Sequence, residues 1–105
     1  MMTIEEHIAY WIHTSEKDLC VADGYFSLKH YDWCLFMGHL VLEKALKALF
    51  VLKSGNKTPP KIHNLIKISQ LLNLELTTEQ IEFLQIVNDF QIEARYPEIK
   101  KELST

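Results

Sequence analysis

The segment from Trp33 to Ser54 constrains the fold more than any other part of this 105-residue chain. It contains no proline, and its apolar residues recur every three or four positions, which is the period of one helix face. These positions are Phe36, Met37, Leu40, Val41, Ala45, Ala48, Leu49 and Leu52. Asp32 is predicted to be the N-cap, and Gly55 followed by Asn56 supplies the C-terminal stop. The sequence therefore predicts a long helix here.

Three further helices are predicted from the same kind of pattern. The first begins at Thr3, whose spacing to Glu6 is that of a capping box, and runs into the twenties. Its apolar positions are Ile4, Ile8, Trp11, Leu19, Ala22 and Phe26. A shorter helix follows the "KTPPK" loop, from about Asn64 to Leu72.

The last helix follows a second capping-box spacing, Thr77 to Gln80. We expect it to end near Arg95, because Tyr96 precedes a proline and is biased away from helical angles. Its predicted core positions are Phe83, Val87, Phe90 and Ala94. No segment alternates with the period of a strand, and short connections favour antiparallel neighbours. The predicted fold is therefore an all-α, up-and-down four-helix bundle.

Length and composition favour a single helical domain over residues 1–105, with a core from about 3 to 97 and a tail from 98 to 105. No apolar run approaches the ~20 residues that cross a bilayer, and the acidic N-terminus is unlike a secretory signal. Cys20 and Cys34 fall in predicted helices and do not form a disulfide framework. We therefore expect a cytoplasmic protein without membrane contact.

Charge is distributed unevenly along the chain. The segment from Lys44 to Leu74 has no acidic residue, although the whole chain carries a net charge of −3. Its six lysines are Lys44, Lys47, Lys53, Lys57, Lys61 and Lys67. Two explanations stay open: a local anion-binding site, or lysines that solvate the polar faces of the helices. Glu43 and Lys47 form an i,i+4 pair that we expect on the polar side of the second helix.

Three motifs in order, "YDWCLFMGHLVLEKALKALFVLKSG", "PPKIHNL" and "IEARYP", resemble the HEPN domain family over most of the chain. The positions that match the family pattern are Glu43, Lys44, Lys47, Pro60, His63, Leu65, Arg95, Tyr96 and Pro97. The resemblance implies a four-helix bundle, frequently a homodimer, that binds a nucleotide. It also implies a minimal nucleotidyltransferase as partner, encoded by a neighbouring gene, in a pair that resembles a toxin–antitoxin module.

Some branches of that family are metal-independent ribonucleases, which carry an arginine followed after four to six residues by a histidine. In this chain no histidine follows His63, so the motif is absent after Arg95. A composite site of Arg95 with His63 or His39 is the remaining route to RNA cleavage. We therefore keep ribonuclease activity as the alternative function and favour a role that is not enzymatic.

The candidate phosphate-binding residues are Arg95, His63, Lys61, Lys44 and Lys47. Arg95 is the only arginine, and its planar fork of donors suits a phosphate or a carboxylate. It has a second explanation as a cation in a final helical turn, or as a partner of Glu43 or Glu93. His63 likewise has the alternative role of capping the third helix.

Metal and cofactor sites find little support in the sequence. His39 and Glu43 have i,i+4 spacing, but no further ligand accompanies them, and no glycine-rich phosphate loop occurs. We predict no metal and no cofactor. Apolar residues beside the core stripes of the first and last helices indicate a surface that another chain covers, for which a homodimer is the simplest explanation. These residues are Tyr10, Ile12, Tyr25, Ile81, Leu84, Ile86 and Ile92.

Overall fold

The computed structural model describes residues 1–95, with side chains described for residues 1–90. It contains four helices, α1 (Ile4–Ser27), α2 (Tyr31–Ser54), α3 (Leu65–Leu71) and α4 (Thr78–Arg95), and no strand in that part of the chain. The prediction of an all-α four-helix fold is confirmed. The predicted tail lies outside the described residues, as do Tyr96 and Pro97.

Both predicted capping boxes are present. At the start of α1, the main-chain N–H of Glu6 donates to Thr3 Oγ1, and the N–H of Thr3 donates to Glu6 Oε1, both over 3.1 Å. Thr77 and Gln80 make the same two bonds at the start of α4, over 2.9 and 3.1 Å. Each box satisfies main-chain donors that a helix end otherwise leaves free.

The turn between α1 and α2 differs from the prediction. Lys29 takes a left-handed backbone angle, φ 63°, which reverses the chain within three residues. As a result α2 begins at Tyr31 with His30 as its N-cap, and Asp32 lies inside the first turn. The prediction that Asp32 is the N-cap is therefore wrong, although its carboxylate still lies near the positive end of the helix dipole.

The other end of α2 and the start of α3 are as expected. Gly55 has a left-handed φ of 73°, and the N–H of Asn56 donates to the carbonyl of Val51. Asn64 is the N-cap of α3, and its Oδ1 accepts from the N–H groups of Ile66 and Lys67. The predicted end of α4 near Arg95 falls at the limit of the described residues.

The helices surround α2 unequally. α1 packs along α2, joined to it by a short turn, whereas α4 packs on α2 and α3. Among the described residues, no Cα atom of α1 lies within 8 Å of a Cα atom of α4. α2 is therefore the central helix, with neighbours on two sides.

The described core lies where α2, α3 and α4 meet. Its buried members include Leu65 and Val87, with exposed fractions of 0% and 2%. In α4 the buried stripe contains Leu84, whereas Phe83, predicted to be core, is 54% exposed. Val87 is buried as predicted, and Leu84 takes the place of Phe83 because α4 turns this side toward α2 and α3.

An apolar trough lies over α2 and consists of two grooves that share Leu42 and Phe83. One, of about 500 Å³, lies between α1 and α4, and the other, of about 770 Å³, is lined by α2, α4 and the connection between α3 and α4. Leu19 and Phe26 of α1, predicted to be core, are exposed at 50% and 62% and line its other side. Of the apolar residues expected to be in surplus on α1 and α4, Leu84 is buried, Tyr25 is half-buried, and the side chain of Ile92 lies outside the described residues. The exposed ones are Tyr10, Ile12, Ile81 and Ile86, which do not line the trough.

Candidate functional site

The centre of the molecule contains a buried polar network. Three of its members, His39, Glu43 and Lys47, are spaced four residues apart along α2 and so share one helix face. They are 0%, 4% and 7% exposed. The loop before α3 adds His63, and α4 adds Asn88. Residues from three parts of the chain therefore meet at one site.

Glu43 is the hub of this polar network. Its Oε2 accepts from Lys47 Nζ over 2.9 Å, and both carboxylate oxygens lie 3.1 Å from His63 Nδ1. The indole ring of Trp11 from α1 covers the lysine, with Nζ 5.5 Å from the ring centroid. Burial of a carboxylate costs free energy unless it is paired, and here Lys47 supplies the opposite charge.

Asn88 joins α4 to the start of α3. Its Oδ1 accepts from the N–H of Leu65 over 3.1 Å, and its Nδ2 donates to Asn64 Oδ1 over 3.1 Å. Because Asn64 Oδ1 also accepts two main-chain N–H groups of α3, it can act here only as an acceptor. The amide of Asn88 is therefore fixed with its oxygen toward Leu65 and toward His39 Nε2, which lies 3.2 Å away.

This arrangement determines which nitrogen of neutral His39 carries hydrogen. Since Asn88 Oδ1 can only accept, His39 Nε2 must carry a hydrogen and donate it to that oxygen. In the neutral ring Nδ1 then carries no hydrogen and has a free lone pair. Nδ1 is buried, has no hydrogen-bond partner among the described residues, and lies 3.7 Å from Glu43 Oε1. Burial lowers the pKa of His39, and the nearby Glu43 carboxylate opposes that change in part.

Three of the predicted positions, Glu43, Lys47 and His63, meet in the network. The prediction that the Glu43–Lys47 pair lies on a polar helix side is wrong, because α2 is central and this face is covered by other elements. Lys44 is half-buried and pairs with Asp18 of α1 instead, at 2.5 Å.

Cysteine, histidine, aspartate and glutamate form no group that could hold a metal among the described residues.

The surface beside the network carries His63 and Lys61. The side chain of His63 is 60% exposed, and Lys61 is exposed without an ion pair or hydrogen bond to any described residue. Pro60, in the loop just before Lys61, is half-buried, and Leu65 is part of the core. The alternative that His63 caps α3 is wrong, since Asn64 is the cap.

Arg95 ends the described part of α4, and its side chain lies outside the described residues. It follows Asn88 by seven residues, so a regular helix places both on the same face, about 10 Å apart along the axis. Its expected pairing with Glu43, Glu93 or a phosphate therefore stays a prediction.

Sequence analysis missed Asn88. The available signal was its position four residues after Leu84, within the buried stripe of α4, where an amide must find hydrogen-bond partners. The asparagine could have been found only after the register of that stripe was known.

The sequence model of the HEPN domain matches residues 8–105, which is nearly the whole chain. The chain belongs to the HEPN family. None of the curated proteins and none of the solved structures that were compared matches it. The resemblance seen in the sequence motifs is therefore confirmed at the level of the family, and the HEPN fold agrees with the four helices described above.

Within the described residues of this HEPN protein, no helix combines the length and the apolar character needed to cross a membrane.

Proposed function

We propose that this HEPN protein binds the phosphate of a nucleotide or RNA at the surface formed by His63 and Lys61, and acts as the subunit of a minimal nucleotidyltransferase pair. The observation that carries the proposal is the contact between exposed His63 and buried Glu43. The contact holds the imidazole at the surface, two residues after Lys61, which has no ion pair or hydrogen bond to any described residue. Partnership with a nucleotidyltransferase, in a toxin–antitoxin-like module, rests on the family alone.

Electrostatics support this location. Lys47 neutralises Glu43 within the network, so the buried carboxylate does not oppose an anion at the surface. Lys61 and His63 lie in the segment that has no acidic residue, and Arg95 follows on the same helix face as Asn88. Lys44 contributes less in this scheme, because Asp18 already neutralises it.

The test is a thermal-shift titration with ATP, GTP and a short RNA. A ligand that binds only the folded state stabilises it by about 2.7 kcal/mol at a hundredfold excess over Kd. We expect a saturable shift with one of the three, and a much smaller one in Lys61→Ala and Arg95→Ala. Lys17→Ala, which removes an exposed lysine of α1, is the matched control and should behave like the unmodified protein. Equal shifts in all variants would remove Lys61 and Arg95 from the site.

Ribonuclease activity is the second candidate, and the Glu43–His63 contact also favours it. A carboxylate that accepts from Nδ1 leaves Nε2 as a proton acceptor, as a general base requires. The family's arginine–histidine motif is absent, so the reaction would depend on His63 itself. The RNA recovered from the titration distinguishes the two functions: intact RNA in the absence of metal supports binding alone, and cleavage that His63→Gln abolishes supports the enzyme.

We further propose that the protein is a homodimer whose second copy covers the apolar trough. Support comes from the exposed apolar residues on both sides of the trough, among them Phe26 and Phe83. Light scattering should give a mass of about twice the 12.3 kDa of one chain. Phe83→Asp should reduce it to one chain, and Leu52→Asp, at an exposed position that does not line the trough, should not. A monomeric unmodified protein would contradict this proposal.

A further inference from the structure

The hydrogen-bond pattern fixes the tautomer of His63. An ionised carboxylate only accepts hydrogen bonds, so the 3.1 Å contacts to Glu43 require a hydrogen on His63 Nδ1. In the neutral imidazole Nε2 then has no hydrogen and presents a lone pair. A free histidine could exchange tautomers and donate from Nε2, but here that exchange would turn the Nδ1 lone pair toward the carboxylate.

A neutral His63 therefore repels the oxygen of a bound anion. To donate to a phosphate from Nε2, the ring must gain a proton and become imidazolium. Glu43 accepts the Nδ1–H of the ring in both protonation states, the buried Lys47 holds the carboxylate in this position, and the bound anion balances the charge of the imidazolium.

We propose that anion binding at His63 is obligatorily coupled to the uptake of one proton by that ring. The inference rests on the proposed phosphate site and adds how the site is regulated: its affinity depends on pH. The ligand class is an anion with an acceptor oxygen, such as a phosphodiester. A ligand that offers a hydroxyl or amide donor would instead bind the neutral ring without a proton.

The groups around the ring agree with uptake of a single proton. Glu43 contacts the ring directly, its neighbours Lys47 and His39 lie on the same face of α2, and Lys61 precedes His63 by two residues in the loop. Glu43 is the one carboxylate that these described residues supply, and two imidazoles share it. His39 is fully buried and cannot meet a ligand, and a charge on it is disfavoured by burial. His63 is therefore the ring that takes up the proton.

The test is isothermal titration calorimetry near neutral pH, in buffers of small and large ionisation enthalpy, such as PIPES and Tris. The probes are oligouridine with hydroxyl ends and inorganic sulfate, neither of which titrates in this range. The dependence of the binding heat on the buffer should correspond to uptake of about one proton, and affinity should rise on acidification because the bound state holds one more proton than the free state. His63→Gln should lose the buffer dependence, and His13→Gln, on the exposed surface of α1, should keep it.

The outcomes separate the two proposals. Binding of either probe without buffer dependence would overturn the proton coupling and leave the phosphate site intact. No binding of either probe would overturn both. Nitrogen-15 NMR of the histidine rings provides a measurement without substitution. Without ligand His63 should be the Nδ1–H tautomer, and with ligand bound both of its ring nitrogens should carry hydrogen. An Nε2–H tautomer in either state would overturn the inference.

Discussion

Replacing Glu43 by alanine is expected to lower the free energy of unfolding by about 3–5 kcal/mol, because it leaves Lys47 as a buried, unpaired charge. The carboxylate is 4% exposed and the lysine 7%, so water can replace little of what is lost. The imidazole of His63 loses its carboxylate partner at the same time. Urea denaturation followed by far-UV circular dichroism measures the change.

Two variants make this result interpretable. Glu82→Ala removes an exposed glutamate of α4 and should change stability by less than about 0.5 kcal/mol. The double replacement Glu43→Leu with Lys47→Met removes both charges and fills a similar volume, so it should be much more stable than Glu43→Ala. A Glu43→Ala protein as stable as the unmodified one would contradict the buried pairing described here.

Leu65→Ala is expected to cost about 2–5 kcal/mol, the range for truncating a buried leucine. Leu65 is 0% exposed and packs with Leu84 and Val87 in the core where α2, α3 and α4 meet. The substitution removes three carbon atoms from that core, whereas the main-chain N–H that binds Asn88 is kept. The loss would be a large fraction of the 5–15 kcal/mol that is typical for whole domains.

Leu52→Ala is the matched control, since Leu52 lies on α2 and is 57% exposed. The same measurement should find it within about 0.5 kcal/mol of the unmodified protein. Similar losses in the two variants would mean that Leu65 does not occupy the core. A small loss in Leu65→Ala alone would mean that neighbouring side chains collapse into the space.

The helices could be predicted because their signals are local. A capping box needs two residues three positions apart, and Gly55 ends α2 through its own backbone angle. The face of α4 that is buried could not be predicted in the same way. Phe83 and Leu84 are both apolar, and the choice between them depends on α4 lying closer to α2 and α3 than to α1, which no local pattern records.

The same distinction between local sequence signals and tertiary packing applies to the candidate site. The spacing of Glu43 and Lys47 revealed their pairing, but their burial follows from α2 being central in the fold. The partnership of Glu43 with His63 joins positions twenty residues apart, and Asn88 reaches His39 over an even longer separation in sequence. Such contacts come from packing, so the sequence could name several residues of the site without indicating how they meet.

The arrangement of helices around α2 also bears on how the chain assembles. α1 and α2 are joined by a short turn and meet along their length, so their contacts close small loops at little entropic cost. The contacts of α4 with α2 bring together residues more distant in sequence, and Asn88 completes them by fixing the start of α3. We therefore expect the α1–α2 hairpin to form early during folding. The polar network should be completed last, when α4 packs against α2 and α3.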